Sequence, residues 1–189
     1  MRLFIAIMLP DQWQVILRQP QEKIGWLGRG VKWVEPENLH LTLKFLGDTP
    51  DDLLPRIESD VEEVCRDIGP FKLAIQGVGC FPNKSRPRAY WAGLTPSKAL
   101  KSLQGGIAER MDALGFEPEE KEFVPHLTVA RIKEPIGKER MTQAFLNFAL
   151  QSDSFTVTEV SLVKSTLRQE GPIYSVLRNF PLSSLLNPT

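Results

Sequence analysis

His40-Leu41-Thr42-Leu43 and His126-Leu127-Thr128-Val129 are two copies of one tetrapeptide pattern, 86 residues apart, and together they hold both histidines of the chain. With nine threonines and 42% apolar residues among 189, a given histidine is followed by apolar-Thr-apolar about once in a hundred times, so both are so followed by chance about once in ten thousand. The period of a β-strand gives the pattern a meaning. His40 and Thr42 point to one face, while Leu41, Leu43 and Phe45 point to the other. His126 and Thr128 share a face in the same way, with Leu127 and Val129 behind them. Each copy anchors an apolar face in a core and presents an imidazole and a hydroxyl on the opposite side. The recurrence suggests two related halves; packed symmetrically, they bring two imidazoles and two hydroxyls to one cleft.

Outward from these strands, the pattern alternates. Leu3–Leu9 reads as a buried strand. Asp11 opens a helix through Trp13, Ile16 and Leu17 that Pro20 should end or kink. Gly25–Gly30 reads as a loop, Lys32–Val34 and Leu39–Leu46 as strands. Thr49-Pro50-Asp51-Asp52 is a helix start, with Thr49 as the cap, leading to a helix that Gly69-Pro70 stops. Phe71–Phe81 and Arg88–Leu94 read as strands joined by the basic loop Pro82–Pro87. Ser97 caps a helix with Leu100, Leu103, Ile107 and Met111 on one face. Phe123–Ile132 is a strand and Ile136–Leu150 is mostly helical. Phe155–Ser165 and Ile173–Phe180 form a closing hairpin about Gly171-Pro172. Hairpin-like neighbours favour α+β with antiparallel sheets over a doubly wound parallel fold. No linker divides residues 1–189, which read as a single domain.

Composition narrows the function. Lys+Arg and Asp+Glu are both 23, the formal net charge is zero and the pI is about 6.8. That argues against broad electrostatic coating of nucleic acid but leaves room for a local basic cleft. Two cysteines, Cys65 and Cys80, make no disulfide framework and read as free thiols of a cytoplasmic protein. No apolar run is long enough for a spanning helix. No histidine pair has metal-ligand spacing, and no glycine loop cradles a phosphate, so neither metal nor ATP is expected.

The paired His-x-Thr set suits phosphoryl chemistry. One imidazole takes a proton from an attacking hydroxyl or water, the other gives one to the leaving oxygen, and hydroxyls donate to the phosphate oxygens. The alternative is a pair of ordinary strand histidines satisfied by hydrogen bonds. Lys44 shares parity with His40 and Thr42 and either adds positive charge to the cleft or is a solvated edge lysine. Lys84, Arg86 and Arg88 either guide the phosphates of a nucleic acid or decorate a solvated hairpin. Phe4 and the tryptophans are either base-stacking aromatics or core.

These residues resemble the two-histidine (2H) phosphoesterase superfamily, and within it the RNA 2′,3′-cyclic phosphodiesterases, also named 2′-5′ RNA ligases. The similarity spans nearly the whole chain. It is carried by Arg2–Ile7, Asn38–Gly47, Gly79–Pro82 with Arg86–Arg88, Val124–Arg131 and Gly171–Tyr174. The resemblance implies an α+β, bilobal fold, two pseudo-symmetric lobes with antiparallel sheets around a central cleft and helices outside. It implies hydrolysis of a terminal ribose 2′,3′-cyclic phosphate to a 2′-phosphomonoester, with 2′-5′ joining as the reverse chemistry. It makes His40 the general acid toward O3′ and His126 the general base toward water. Thr42 and Thr128 would hold the phosphate and Arg131 would clamp it. Strict alternation points Arg131 away from His126, so it reaches the cleft only through a bulge, a strand end or its own length. No cofactor is implied, and the partner is an RNA terminus met by a monomer. The other readings are an esterase of a small cyclic nucleotide or ADP-ribose cyclic phosphate, and a binding module without turnover.

Overall fold

Leu3 to Ile7 are buried one after another, and a strand covered on both faces belongs inside a sheet. In the computed structural model, which describes residues 1–134, 137–169 and 171–183, this is where it lies. Strand β1 (Arg2–Met8) is followed by α1 (Asp11–Ile24), β2 (Val31–Trp33), β3 (His40–Asp48) and α2 (Leu54–Arg66). Next come β4 (Phe71–Leu73), β5 (Ile75–Phe81), β6 (Ala89–Leu94), α3 (Lys98–Ala113) and β7 (His126–Ile132). The described chain closes with α4 (Glu139–Leu146), β8 (Phe155–Val157), β9 (Glu159–Leu167) and β10 (Pro172–Pro181). One sheet has the order β10-β9-β1-β3 and the other β2-β7-β6-β5, while β4 and β8 form a small ribbon. All the ladders are antiparallel, as the α+β reading expects. Helices α2 and α3 pack on the first sheet; α4 packs on β5 of the second, with α1 beside it. One apolar cluster runs through both halves, from Ile5 and Leu41 to Leu127 and Phe145.

Several sequence expectations hold locally. The Ser97 hydroxyl accepts from the Leu100 N–H at 3.1 Å, and Leu100, Leu103, Ile107 and Met111 are buried on α3. The closing hairpin is β9–β10. Others are corrected. Pro20 does not end α1, which carries it as a buried residue and runs on to Ile24. Thr49 does not cap α2. It is tied back to the chain start, its N–H donating to the Met1 carbonyl at 2.7 Å and its hydroxyl to Gly47 O at 3.2 Å. Phe71–Phe81 and Phe155–Ser165 are each two strands, broken at Ala74 and Thr158, because each run serves both the small ribbon and a large sheet. The strand expected from Phe123 begins at His126, and the helix expected over 136–150 spans Glu139–Leu146, with Ile136 outside the described residues.

The decisive departure lies in β3 and β7. The β1–β3 ladder pairs Ala6 with Thr42 and then Ile5 with Lys44, skipping Leu43. The β6–β7 ladder pairs Trp91 with Thr128 and then Tyr90 with Ala130, skipping Val129. One extra residue in a strand reverses its alternation. Both strands therefore share one burial sequence: histidine and threonine half-buried, the bulge residue and its successor buried, the next residue exposed. Neither bulge carbonyl is orphaned: Leu43 O accepts from the Gln104 side chain at 3.4 Å, Val129 O from the Val34 N–H at 2.9 Å.

The bulge corrects two placements at once. Phe45, expected in the core, is 57% exposed. Lys44, expected beside His40, is driven into the core with a fully buried side chain. There its ammonium donates to Asp112 Oδ1 and to the Glu117 carbonyl, both at 2.8 Å. A buried amine must be paired, so the two partners are not equivalent. Asp112 is about one-third exposed and water can solvate it if Lys44 is removed. Asp112→Ala should therefore cost about 3 kcal/mol by stranding the lysine charge, and Lys44→Met less than about 1 kcal/mol. Denaturant melts of the two variants check this; equal losses would show that the pair is not held by the buried amine.

Candidate active site

Because β3 and β7 carry the same bulge, each sets three side chains on the cleft face: His40, Thr42 and Phe45 from one, His126, Thr128 and Arg131 from the other. All six line one cleft of about 620 Å³ between the two sheets, a size suited to a small ligand or a nucleotide. The parity conflict at Arg131 is resolved by the extra residue Val129. Phe45 and Arg131 occupy the same position, five residues after their histidines, so the two halves are matched except for an aromatic ring facing a guanidinium.

Each imidazole is held the same way. His40 Nδ1 lies 2.8 Å from the Asn38 carbonyl and His126 Nδ1 lies 2.8 Å from the Val124 carbonyl. A carbonyl only accepts, so each Nδ1 carries a proton and donates it, and Nε2 is left as the nitrogen that gains or loses one. Aromatic rings fix the planes. His40 meets Phe4 at 4.7 Å and Tyr174 edge-on at 5.2 Å between centroids; His126 meets Phe81 edge-on at 4.9 Å and Trp91 at 6.3 Å. Gly79 has no side chain where the Trp91 ring lies, and any Cβ there would collide with it.

Burial pushes both histidines below the ordinary imidazole value; the carbonyl bonds oppose the shift and the nearby Arg131 charge adds to it. Both are therefore neutral at rest near pH 7. Tyr174 is pushed up by burial, with Arg131 and Arg2 opposing. Lys32 sits opposite Arg131 in the β2–β7 ladder and, with Arg168, adds positive charge to the cleft, while Glu35 and Glu37 line it as well and add negative charge.

Of the residues singled out from sequence, His40, His126, Thr42, Thr128 and Arg131 come together. Phe4 does not reach the cleft as a free stacking face. It is 3% exposed and packs under His40 with Ala6 and Val163, because it belongs to the inner strand β1. Lys44 is absent from the cleft for the reason given above. The basic loop residues Lys84, Arg86 and Arg88 lie outside the cleft lining. The guanidinium of Arg88 instead donates to the Lys133 carbonyl at 3.0 Å. Sequence reasoning missed Phe45, Lys32, Arg168 and Tyr174 as site residues; for Phe45 the repeated bulge was the signal, visible only as an Arg whose parity looks wrong, while the other three come from strands and a turn that only the fold brings to the cleft. Among the described residues no group of three or more His, Cys, Asp or Glu side chains is placed to hold a metal, and no helix is long and apolar enough to cross a membrane.

Two matched His-x-Thr strands facing one cleft define a two-histidine phosphoesterase. Comparison with known proteins makes this particular: the pattern of the 2′-5′ RNA ligase superfamily matches residues 10–169, and the chain belongs to that family. It is 36% identical over 182 residues to the RNA 2′,3′-cyclic phosphodiesterase of Methanothermobacter thermautotrophicus, covering 96% of this chain and 98% of that one. It is 38% identical over 183 residues to the enzyme of the same name from Archaeoglobus fulgidus, covering 95% and 99%. Among solved structures, TT0787 of Thermus thermophilus superposes with a TM-score of 0.82 at 31% identity, covering 98% of this chain and 100% of that one.

The electrostatics predict a titration. By NMR, both histidines of the free protein should titrate below about pH 6.5, and Arg131→Met should move both midpoints upward, because the neighbouring positive charge no longer opposes protonation. Midpoints that ignore Arg131 would show that it does not act on the imidazoles. The unfolded chain protonates these groups more readily, so their contribution to stability is present above about pH 6.5 and is lost on acidification.

Proposed function

We propose that this protein hydrolyses the terminal ribose 2′,3′-cyclic phosphate of RNA to a 2′-phosphomonoester, as a monomer whose residues 1–189 act as one bilobal domain. The observation that carries the reading is the pair of carbonyl-anchored imidazoles in one cleft, both within the field of Arg131, in a chain similar along nearly its full length to RNA 2′,3′-cyclic phosphodiesterases.

His126, the more open of the two, takes a proton from water at Nε2 as the water oxygen forms its bond to phosphorus. The P–O3′ bond breaks, and the departing O3′ takes the proton of His40 Nε2. The bound phosphate carries negative charge, which attracts an imidazolium and so favours the protonated His40 that a general acid needs, against the burial and the Arg131 charge that disfavour it. Arg131 neutralises the non-bridging oxygens, and the hydroxyls of Thr42 and Thr128 donate to them as charge accumulates. On the other side Phe45, exposed at the position matching Arg131, offers a face to the base. The two histidines end with their protons exchanged and re-equilibrate through solvent. An RNA 5′-hydroxyl in place of water runs the same steps toward a 2′-5′ linkage. Two imidazoles supply both proton transfers and the strained ring supplies the driving force, so neither metal nor ATP has a step. The free thiols Cys65 and Cys80 suit a cytoplasmic setting.

The test is an RNA ending in 2′,3′-cyclic phosphate incubated with EDTA. The expected product is a 2′-phosphate, with His40→Ala and His126→Ala each lowering kcat by about 10²–10⁴. A 3′-phosphate would contradict the assignment of O3′ as the leaving oxygen. Turnover only of small cyclic nucleotides, or nucleotide binding without turnover, would replace the RNA-end reading.

A further inference from the structure

The described residue with the most exposed large apolar side chain is Trp26, at 76%. Indoles of this size are seldom left in water. It stands on the 3-10 turn Gly25–Leu27 between α1 and β2. Its one polar group is already engaged: Nε1–H donates to the Lys23 carbonyl at 3.2 Å. What the ring has left to offer is a face. Arg140 of α4 lies over the ring on one side, guanidinium carbon 5.9 Å from the ring centroid. Lys23 and Arg29, both exposed, belong to the same turn and its flank.

The turn is firmly built. Gly28 N–H donates to Gly25 O at 3.2 Å and Val31 N–H to Gly28 O at 3.3 Å. Gly28 packs so closely on Val31 and Met141 that a Cβ would lie 2.9 Å from Val31 Cγ2 and 3.5 Å from Met141 Cε. A ring held this way needs little ordering to receive a flat partner.

Position supplies the partner. The turn leads straight into β2, the edge strand of its sheet, and Lys32 of β2 stands opposite Arg131 and lines the cleft. Trp26 is six residues from Lys32, at most ~20 Å of chain. Trp26 lies outside the cleft lining, so a strand that left the cleft over this open edge would pass the positive charge of Lys32 and then the exposed indole, the combination by which single-stranded nucleic acid is held without regard to sequence.

We propose that Trp26, with Arg140, is a stacking site for a nucleotide upstream of the RNA terminus held in the cleft. This rests on the RNA-end reading above and extends it: the protein grips a short single strand, not only its last residue. Trp26 touches no reacting atom, so it should act on substrates long enough to reach it and on no others.

The experiment compares kcat/KM for a mononucleoside 2′,3′-cyclic phosphate with that for single-stranded oligonucleotides of increasing length bearing the same terminus. Trp26→Ala should leave the mononucleotide unchanged and lower the longer substrates by about 5- to 150-fold, the worth of one stacked base. Trp26→Tyr should keep most of the length effect, because it keeps a ring. Equal loss on short and long substrates, or no loss on long ones, overturns the proposal and leaves Trp26 to a protein partner or to none. A second arm measures affinity for an oligonucleotide ending in a plain 3′-hydroxyl. If the wild type turns over no cyclic phosphate, the RNA-end reading fails, and this arm still decides the Trp26 site: unchanged affinity in Trp26→Ala overturns it, a matching loss supports it.

Discussion

A regular strand that shows a histidine to the cleft must turn the residue five places on into the core, because side chains alternate with a period of two. The site depends on breaking that rule once in each half. Leu43 and Val129 are the extra residues, and with them Phe45 and Arg131 return to the face of His40 and His126. The same insertion sends Lys44 and Ala130 inward. Ala130 enters a core at no electrostatic cost. Lys44 enters as a charge, and the end of α3 with the following segment is arranged to receive it through Asp112 and the Glu117 carbonyl.

Matching bulges make the two halves equivalent in geometry; what differs is chemistry at one position. The guanidinium of Arg131 suits phosphate oxygens and the ring of Phe45 suits a base or ribose, so in the mechanism we propose a nearly symmetric cleft would bind an unsymmetric substrate one way round. In that proposal the directionality is what would separate the roles of two imidazoles whose anchors are alike at 2.8 Å. The backbone carbonyls at Asn38 and Val124 also select the tautomer, which directs proton traffic through Nε2 in both cases.

Zero net charge is compatible with an RNA substrate because the charge that matters is local. Lys32, Arg131 and Arg168 line the cleft together with Glu35 and Glu37, three cations against two carboxylates, while charges elsewhere serve structure, as in the Arg178 pairs with Glu58 and Glu62 that tie β10 to α2. The aromatic residues divide in the same spirit. Phe4, Phe81 and Trp91 fix imidazole planes, and Phe45 and Trp26 keep faces open.

Much of this is legible in the sequence by itself. The repeated His-x-Thr pattern determines that two strands present matched imidazoles and hydroxyls. Apolar spacing and turn residues point to the antiparallel α+β class, and Ser97 and Gly171-Pro172 mark a helix start and the last hairpin. The bulges are not legible, because an inserted Leu or Val looks like any other core residue of a strand, and only its unmatched partner on the neighbouring strand reveals it. For that reason alternation alone puts Lys44 and Phe45 on each other's faces, and Phe4, apolar and near the site in sequence terms, is not recognisable as the floor under His40. Periodicity along one chain fixes which residues alternate. Which face each finally takes is set by hydrogen bonds to a second strand, and only the tertiary structure contains those.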